Sequence, residues 1–158
     1  LLRLEHIAIQ YNFGNAIENF NSEEHLSVYV DEDNSAGSYE DSYNAFAYQI
    51  SPTNISVFLD QNKKPRTAHH AVYSLLKNYG TTAYWELRIT NFDSAYQPSK
   101  PNEAVSLKPG KLMGFALAFE HVDAKATNTV LGSVAIPEDY DGRINLDAGL
   151  FETLKLIQ

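Results

Sequence analysis

The sequence predicts an all-β chain, an antiparallel β-sandwich of about nine or ten strands with little helix, of the jelly-roll or immunoglobulin-like kind. Three observations carry that expectation. Apolar and β-branched residues recur at every second position in short runs, as a pleated strand with one buried face requires. Turn formers punctuate the runs at regular intervals, in "DEDNSAGS", "SPTN", "QNKKP", "NYG", "QPSKP", "KPG" and "PEDYDG". Helix signals are weak, with only "GNAIENF" offering a turn near residues 15–20.

Taken in chain order, "HIAIQYNF" sets Ile7, Ile9, Tyr11 and Phe13 on one side and His6, Ala8, Gln10 and Asn12 on the other. "HLSVYV" sets Leu26, Val28 and Val30 against Ser27 and Tyr29, and "NAFAYQI", "ISVFL" and "AVYSLL" follow. In "YWELRI" the residues Trp85, Leu87 and Ile89 share the face that meets the opposite sheet, which makes Trp85 a core residue. Tyr84, Glu86, Arg88 and Thr90 share the other face. The segment 93–104, with two prolines and polar neighbours, is a surface loop. "LMGFALAF" aligns Met113 with Phe115, Leu117 and Phe119 on a core face, and "TVLGSVAI" and "LFETLKLI" complete the strands. No repeat is visible, so residues 1–158 are expected to form one domain with a single core.

Composition narrows the partners. The net charge is −8 and no cationic run exceeds Lys63–Lys64. Phosphate backbones need clustered cations, so nucleic acid is not an expected partner, and an anionic membrane surface is disfavoured for the same reason. No stretch reaches the length of a membrane span. With no cysteine, neither disulfides nor thiolate metal sites arise. The opening "LLRLEHIAIQ" lacks Met and reads as a strand, which suggests a processed chain or a domain cut from a longer protein, not a signal peptide. No Gly-rich phosphate loop, recognisable Ser–His–Asp order or HExxH motif is present, and catalysis is not expected.

Candidate ligands cluster in loops. "VYVDEDNSAGSYED" packs five carboxylates into residues 31–41, and Asp31, Asp33 and Ser35 form D-x-D-x-S. An EF-hand would need Gly at 36 and Glu at 42, where this chain has Ala36 and Ser42. A looser calcium site would use Asp31, Asp33 and Ser35, closed by Glu40 or Asp41; the alternative is a solvated turn with Asx hydrogen bonds. A weaker second set is Asp123, Asp139, Asp141 and Asp147. Adjacent His69 and His70 point to opposite faces of a strand, and His6, His25 and His121 have no partner at metal spacing, so zinc is not expected. Loop tyrosines Tyr39, Tyr43, Tyr96 and Tyr140 supply rigid amphipathic contact area, against the ordinary use of Tyr at strand ends. Tyr84 and Arg88 would offer a sugar a ring for its CH face and a guanidinium for its hydroxyls.

Motif order adds a resemblance. "LSVYVDEDNS", "NAFAYQI", "GTTAYWELRIT", "KPGKLMGFALAFEHVD" and "AGLFETLKL" follow one another in an order that resembles family 9 carbohydrate-binding modules and their DOMON-like relatives. The resemblance spans most of the chain. It implies a non-catalytic β-sandwich that binds a poly- or oligosaccharide, often with calcium steadying its loops. It also implies a secreted, periplasmic or cell-surface location, with a neighbouring catalytic domain in the parent chain. Two departures stand out. Glu152 occupies a position where the closing strand usually has Gly, and the lone Trp85 rules out the tryptophan pair that clamps sugar in the best-known members. Two alternatives stay open: a structural or adhesion-type protein-interaction module without a sugar site, and a haem-binding electron-transfer domain using Met113 and a histidine.

Overall fold

Alternation over the predicted runs becomes two antiparallel sheets in the computed structural model, which describes residues 2–5, 24–79, 82–122, 128–136 and 142–157. Ten strands are present among these residues: β1 (Leu2–Glu5), β2 (His25–Asp31), β3 (Phe46–Ile50), β4 (Ser56–Leu59), β5 (Pro65–Thr67), β6 (Val72–Tyr79), β7 (Thr82–Ile89), β8 (Leu112–Val122), β9 (Asn128–Gly132) and β10 (Glu152–Lys155). The small sheet runs β1-β7-β6. The large sheet runs β10-β8-β2-β3-β4-β5, with β9 also on β8. One edge of the long strand β8 takes β2; the other takes β10 beside Leu112–Phe115 and β9 beside Ala118–Val122.

Register decides which side chains meet. Leu26 lies opposite Ile50 and Phe119, Val28 opposite Tyr48 and Leu117, and Val30 opposite Phe46 and Phe115. These residues face the small sheet, where Trp85 is fully buried and its ring meets Phe119 at 6.4 Å, tilted by 67°. Each fully buried aliphatic or aromatic side chain of this layer stabilises the fold by roughly 1.5–3 kcal/mol. Met113 is also in this core, as its alternation predicts, and there it has no open side toward a ligand.

The structure corrects two expectations. Pro65–Thr67 pairs with β4 as a short edge strand, although "QNKKP" reads as a turn; a proline is tolerated there because the strand is at an edge. Tyr96 is not a surface contact. It is 5% exposed, its hydroxyl is 2.6 Å from His70 Nε2, and its ring meets Phe46 and Phe58 edge-on. The expected strand over 6–13 and the helical turn near 15–20 lie outside the described residues.

Close approach at one strand pair sets a steric limit. Gly114 on β8 is opposite Asp31 on β2, and a Cβ added there would lie 2.9 Å from Asp31 Cβ and 3.4 Å from the Phe151 ring. Gly114→Ala should therefore destabilise the protein by about 1–3 kcal/mol, as overpacking does. The change should appear as a lower urea midpoint with an unchanged slope, and an unaltered midpoint would refute the packing argument.

Candidate functional site

The side of the large sheet that faces away from the core carries small and polar residues. His25 lies opposite Glu120, Ser27 between Gln49 and Ala118, and Tyr29 between Ala47 and Ala116. Two loops fold over the Tyr29 end of this face. The Tyr39 hydroxyl donates to the Ile144 carbonyl at 2.5 Å, Tyr39 N–H to Leu146 O at 2.9 Å, and Ala148 N–H to Gly37 O at 2.8 Å. Tyr29 donates to Asn145 Oδ1 at 3.2 Å, and both tyrosine rings pack on Phe151. The cover stops short of the His25–Ser27 end, where the low floor leaves a recess of about 270 Å³.

A rigid hairpin forms one wall of the recess. The Asp60 carboxylate accepts N–H bonds from Asn62 and Lys64 at 2.9 and 3.0 Å and the Arg66 Nε–H at 2.8 Å. Burial raises the Asp60 carboxyl, but these donors outweigh it and hold the group below the usual carboxylate range. Lys63, in the left-handed region at φ 58°, then reaches Glu40 Oε1 at 2.6 Å and joins the hairpin to the covering loop. Leu59 and Leu146 line the same recess and remain 44% and 38% exposed.

Two floor atoms are distinctive. Ser27 is 1% exposed and Gln49 7%, yet neither Ser27 Oγ nor Gln49 Oε1 has a hydrogen-bond partner. Leaving such an atom unpaired costs about 1–3 kcal/mol. Beside them His25 Nε2 lies 3.2 Å from Glu120 Oε1, and that hydrogen bond, against the opposing effect of burial, holds the Glu120 carboxyl below its ordinary value.

No family model matches the chain, and no curated protein matches it in sequence. Solved structures do match it in fold. A family 9 carbohydrate-binding module from Caldicellulosiruptor kristjanssonii in complex with cellotriose aligns with a TM-score of 0.62, 20% identity and 92% of this chain covered. A family 9 module from the same organism in complex with glucose aligns with a TM-score of 0.58 at the same identity and coverage. The chain has the fold of a family 9 carbohydrate-binding module. It spans 63% of the length of those chains.

On this family 9 fold the residues singled out from the sequence separate. Tyr39 and Tyr43 line the recess, though each is more than nine-tenths buried and shows only part of its ring. Tyr84 and Arg88 stand on the outer side of the small sheet, across the sandwich from the recess. Tyr96 is in the core, and Tyr140 lies outside the described residues. His25, Ser27, Gln49 and Glu120 are the functional candidates that sequence reasoning missed. The available signal was the run of small outward residues, Ser27, Ala47, Ala116 and Ala118, on strands at the centre of a sheet.

The acidic sets separate as well. Asp31 Oδ2 accepts the Ala36 N–H at 2.8 Å, Asp33 Oδ1 accepts the Ser35 N–H at 3.1 Å, and Ser35 Oγ donates to Asn44 Oδ1 at 3.1 Å. Glu40 is paired with Lys63 and Asp41 is exposed. Asp147 accepts the Gly149 N–H at 2.9 Å and so caps the 3-10 turn Ala148–Leu150; Asp123, Asp139 and Asp141 lie outside the described residues. Among the described residues no three acidic or histidine side chains converge as metal ligands. Calcium takes six to eight oxygens, and Asp31 with Asp33 fall short of that set.

Asp31 gives a pH test of this turn. Its carboxyl is 1% exposed, Oδ1 has no partner, and burial first, with Asp33 beside it, raises its pKa above 3.8. A raised folded-state value means that Asp31 supports folding fully below 3.8 and that this support is lost as pH rises through the folded value. Asp31→Asn should therefore match the wild type in strong acid and exceed its Tm at neutral pH without divalent cations. A wild-type advantage at neutral pH under those conditions would contradict the argument. A calcium-dependent rise in wild-type Tm that Asp31→Asn abolishes would assign a cation to this turn.

Proposed function

We propose that the chain is a non-catalytic carbohydrate-binding domain whose sugar sits in the recess above Ser27 and Gln49. The observation that carries this reading is an open recess whose lining sets polar side chains, Gln49, Glu120 and Lys63 among them, beside the exposed Leu59 and Leu146. The fold shared with family 9 structures that hold cellotriose and glucose supports it. A saccharide combines hydroxyls, which both donate and accept, with apolar CH faces. Rotation of the Gln49 side chain would bring its amide to a hydroxyl at the floor, and the ionised Glu120 would accept another from the side. Leu59 and Leu146 at the rim would cover CH groups, in the role that a tryptophan clamp cannot play here. Charges around the recess are paired, Glu40 with Lys63 and Asp60 with Arg66, which suits a neutral ligand. A place outside the cytoplasm, beside a catalytic domain of a longer protein, belongs to the same reading and rests on the family resemblance.

Calorimetric titration with cellotriose and glucose tests the proposal. The wild type should bind, and Gln49→Ala should weaken binding by roughly three- to tenfold, the equivalent of one neutral hydrogen bond. Its Tm should change little, because the packing lost with the buried side chain is offset by removal of an unpartnered buried oxygen. Absence of heat with either sugar, together with silence on a broad glycan array, would sink the reading.

Acid should spare the site. Glu120 titrates below its usual 4.5, so its charged, accepting form is present above that pH and is lost only as pH falls through the lowered value. Affinity for cellotriose should be level between neutral pH and pH 4.5 and decline only below it. A loss of binding beginning near pH 6.5, the range of an ordinary histidine, would shift the essential group from Glu120 to His25.

A further inference from the structure

The outer side of the small sheet is a second organised surface. From β6 it presents Tyr73, Leu75, Lys77 and Tyr79, and from β7 Tyr84, Glu86 and Arg88. Tyr73 and Tyr79 are 58% and 62% exposed, so most of their ring area is left in water by folding. The register pairs Tyr73 with Arg88, whose guanidinium sits 5.5 Å over the ring. It also pairs Lys77 with Tyr84, whose ring meets Tyr79 edge-on at 5.8 Å. Aromatic groups thus stand at both ends of β6, about 20 Å apart at ~3.3 Å per residue. Between them Leu75 and Glu86 help to floor a shallow, open depression.

Resting on the carbohydrate-binding reading, we infer that this face is a second saccharide contact, a flat platform for a neutral linear polysaccharide, separate from the recess. Exposed phenol rings offer flat apolar surfaces to pyranose CH faces at little entropy cost, while Lys77, Glu86 and Arg88 offer hydroxyls donors and acceptors. Charge favours a neutral occupant. On β6 and β7 one carboxylate stands between two cations, nearly in balance, while the chain as a whole, at −8, repels polyanions. A protein partner is disfavoured because charged residues interrupt the aromatic ones, and no continuous apolar centre of the kind protein interfaces bury is formed. Sites on opposite faces would make the domain bivalent toward a polymer but monovalent toward a short oligosaccharide.

The test compares wild type, Tyr73→Ala/Tyr79→Ala and Gln49→Ala for retention on a soluble β-glucan polymer in an affinity gel and for cellotriose affinity by calorimetry. Both tyrosines are largely exposed, so the double variant should stay folded, with only a small fall in Tm from the lower strand propensity of Ala. It should lose retention on the polymer by at least about tenfold while its cellotriose affinity is unchanged. Gln49→Ala should lose cellotriose affinity and keep part of its polymer retention. Unchanged polymer retention in the double variant, alongside normal cellotriose binding, overturns the platform and leaves the recess standing. Failure of the wild type to bind either ligand overturns both readings. A double variant that changes only self-association in sedimentation, with both sugar measurements intact, makes the face a protein contact and overturns the platform.

Discussion

Strand β2 is buried on both faces along all of its residues, and it carries polar side chains on one of them. That combination is the constraint on which the rest of the architecture depends. A buried polar group is costly unless it is paired, so each one on β2 must be answered by a neighbour. Glu24, just before the strand, meets His121 Nδ1 at 2.5 Å, His25 meets Glu120, and one oxygen of Asp31 takes the Ala36 N–H. Ser27 Oγ, together with Gln49 Oε1 opposite it, is left without a partner at the floor of the recess. The sheet can seat a core on one side because Leu26, Val28 and Val30 are apolar. On the other side its pairing is incomplete at Asp31 Oδ1 and at Ser27 Oγ, and the second lies beneath the recess.

Shape follows from the same strand. Ala47, Ala116 and Ala118 beside Tyr29 and Ser27 keep the outer floor low, so the covering loops settle on Tyr29 and stop before His25. Hydrogen bonds from Tyr39 to Ile144 and Leu146 fix where the cover ends. Asp60 fixes the facing hairpin through three donors, and the exposed Lys63–Glu40 pair closes the ring of segments at the rim. An exposed ion pair of this kind adds only ~0–1 kcal/mol, so the recess owes its form to the buried hydrogen bonds rather than to that pair. The small sheet is built differently. Its outer face has no covering segment among the described residues, and its tyrosines are held by each other and by Arg88.

Much of the fold was legible because period-two patterning is a direct consequence of strand geometry. Trp85 and Met113 fall in the core as their alternation requires, and the turn clusters fall between strands. Tyr96 was misjudged because its sequence neighbours are polar; only the chain's return against His70 and Phe58 buries it, and that contact is long-range. The strand at Pro65 was hidden by a residue that sheets accept only at edges. The recess was not legible because an outward position on a strand reads as solvent-facing, whereas Ser27 and Gln49 lie at the bottom of a recess walled by loops and a hairpin distant in sequence. The acidic loop divides between two roles. Asp31 and Asp33 act within the turn through backbone N–H groups, while Glu40 belongs to the recess rim.

The central claim is that a saccharide is held at the Ser27–Gln49 floor. Backbone amide NMR during titration with cellotriose tests it most directly, because it reports where the ligand sits without altering a residue. Shifts concentrated at Ser27, Gln49, Leu59 and Lys63, with Trp85 and the rest of β7 unmoved, are what the recess predicts. Saturable shifts that leave those four amides silent would contradict it.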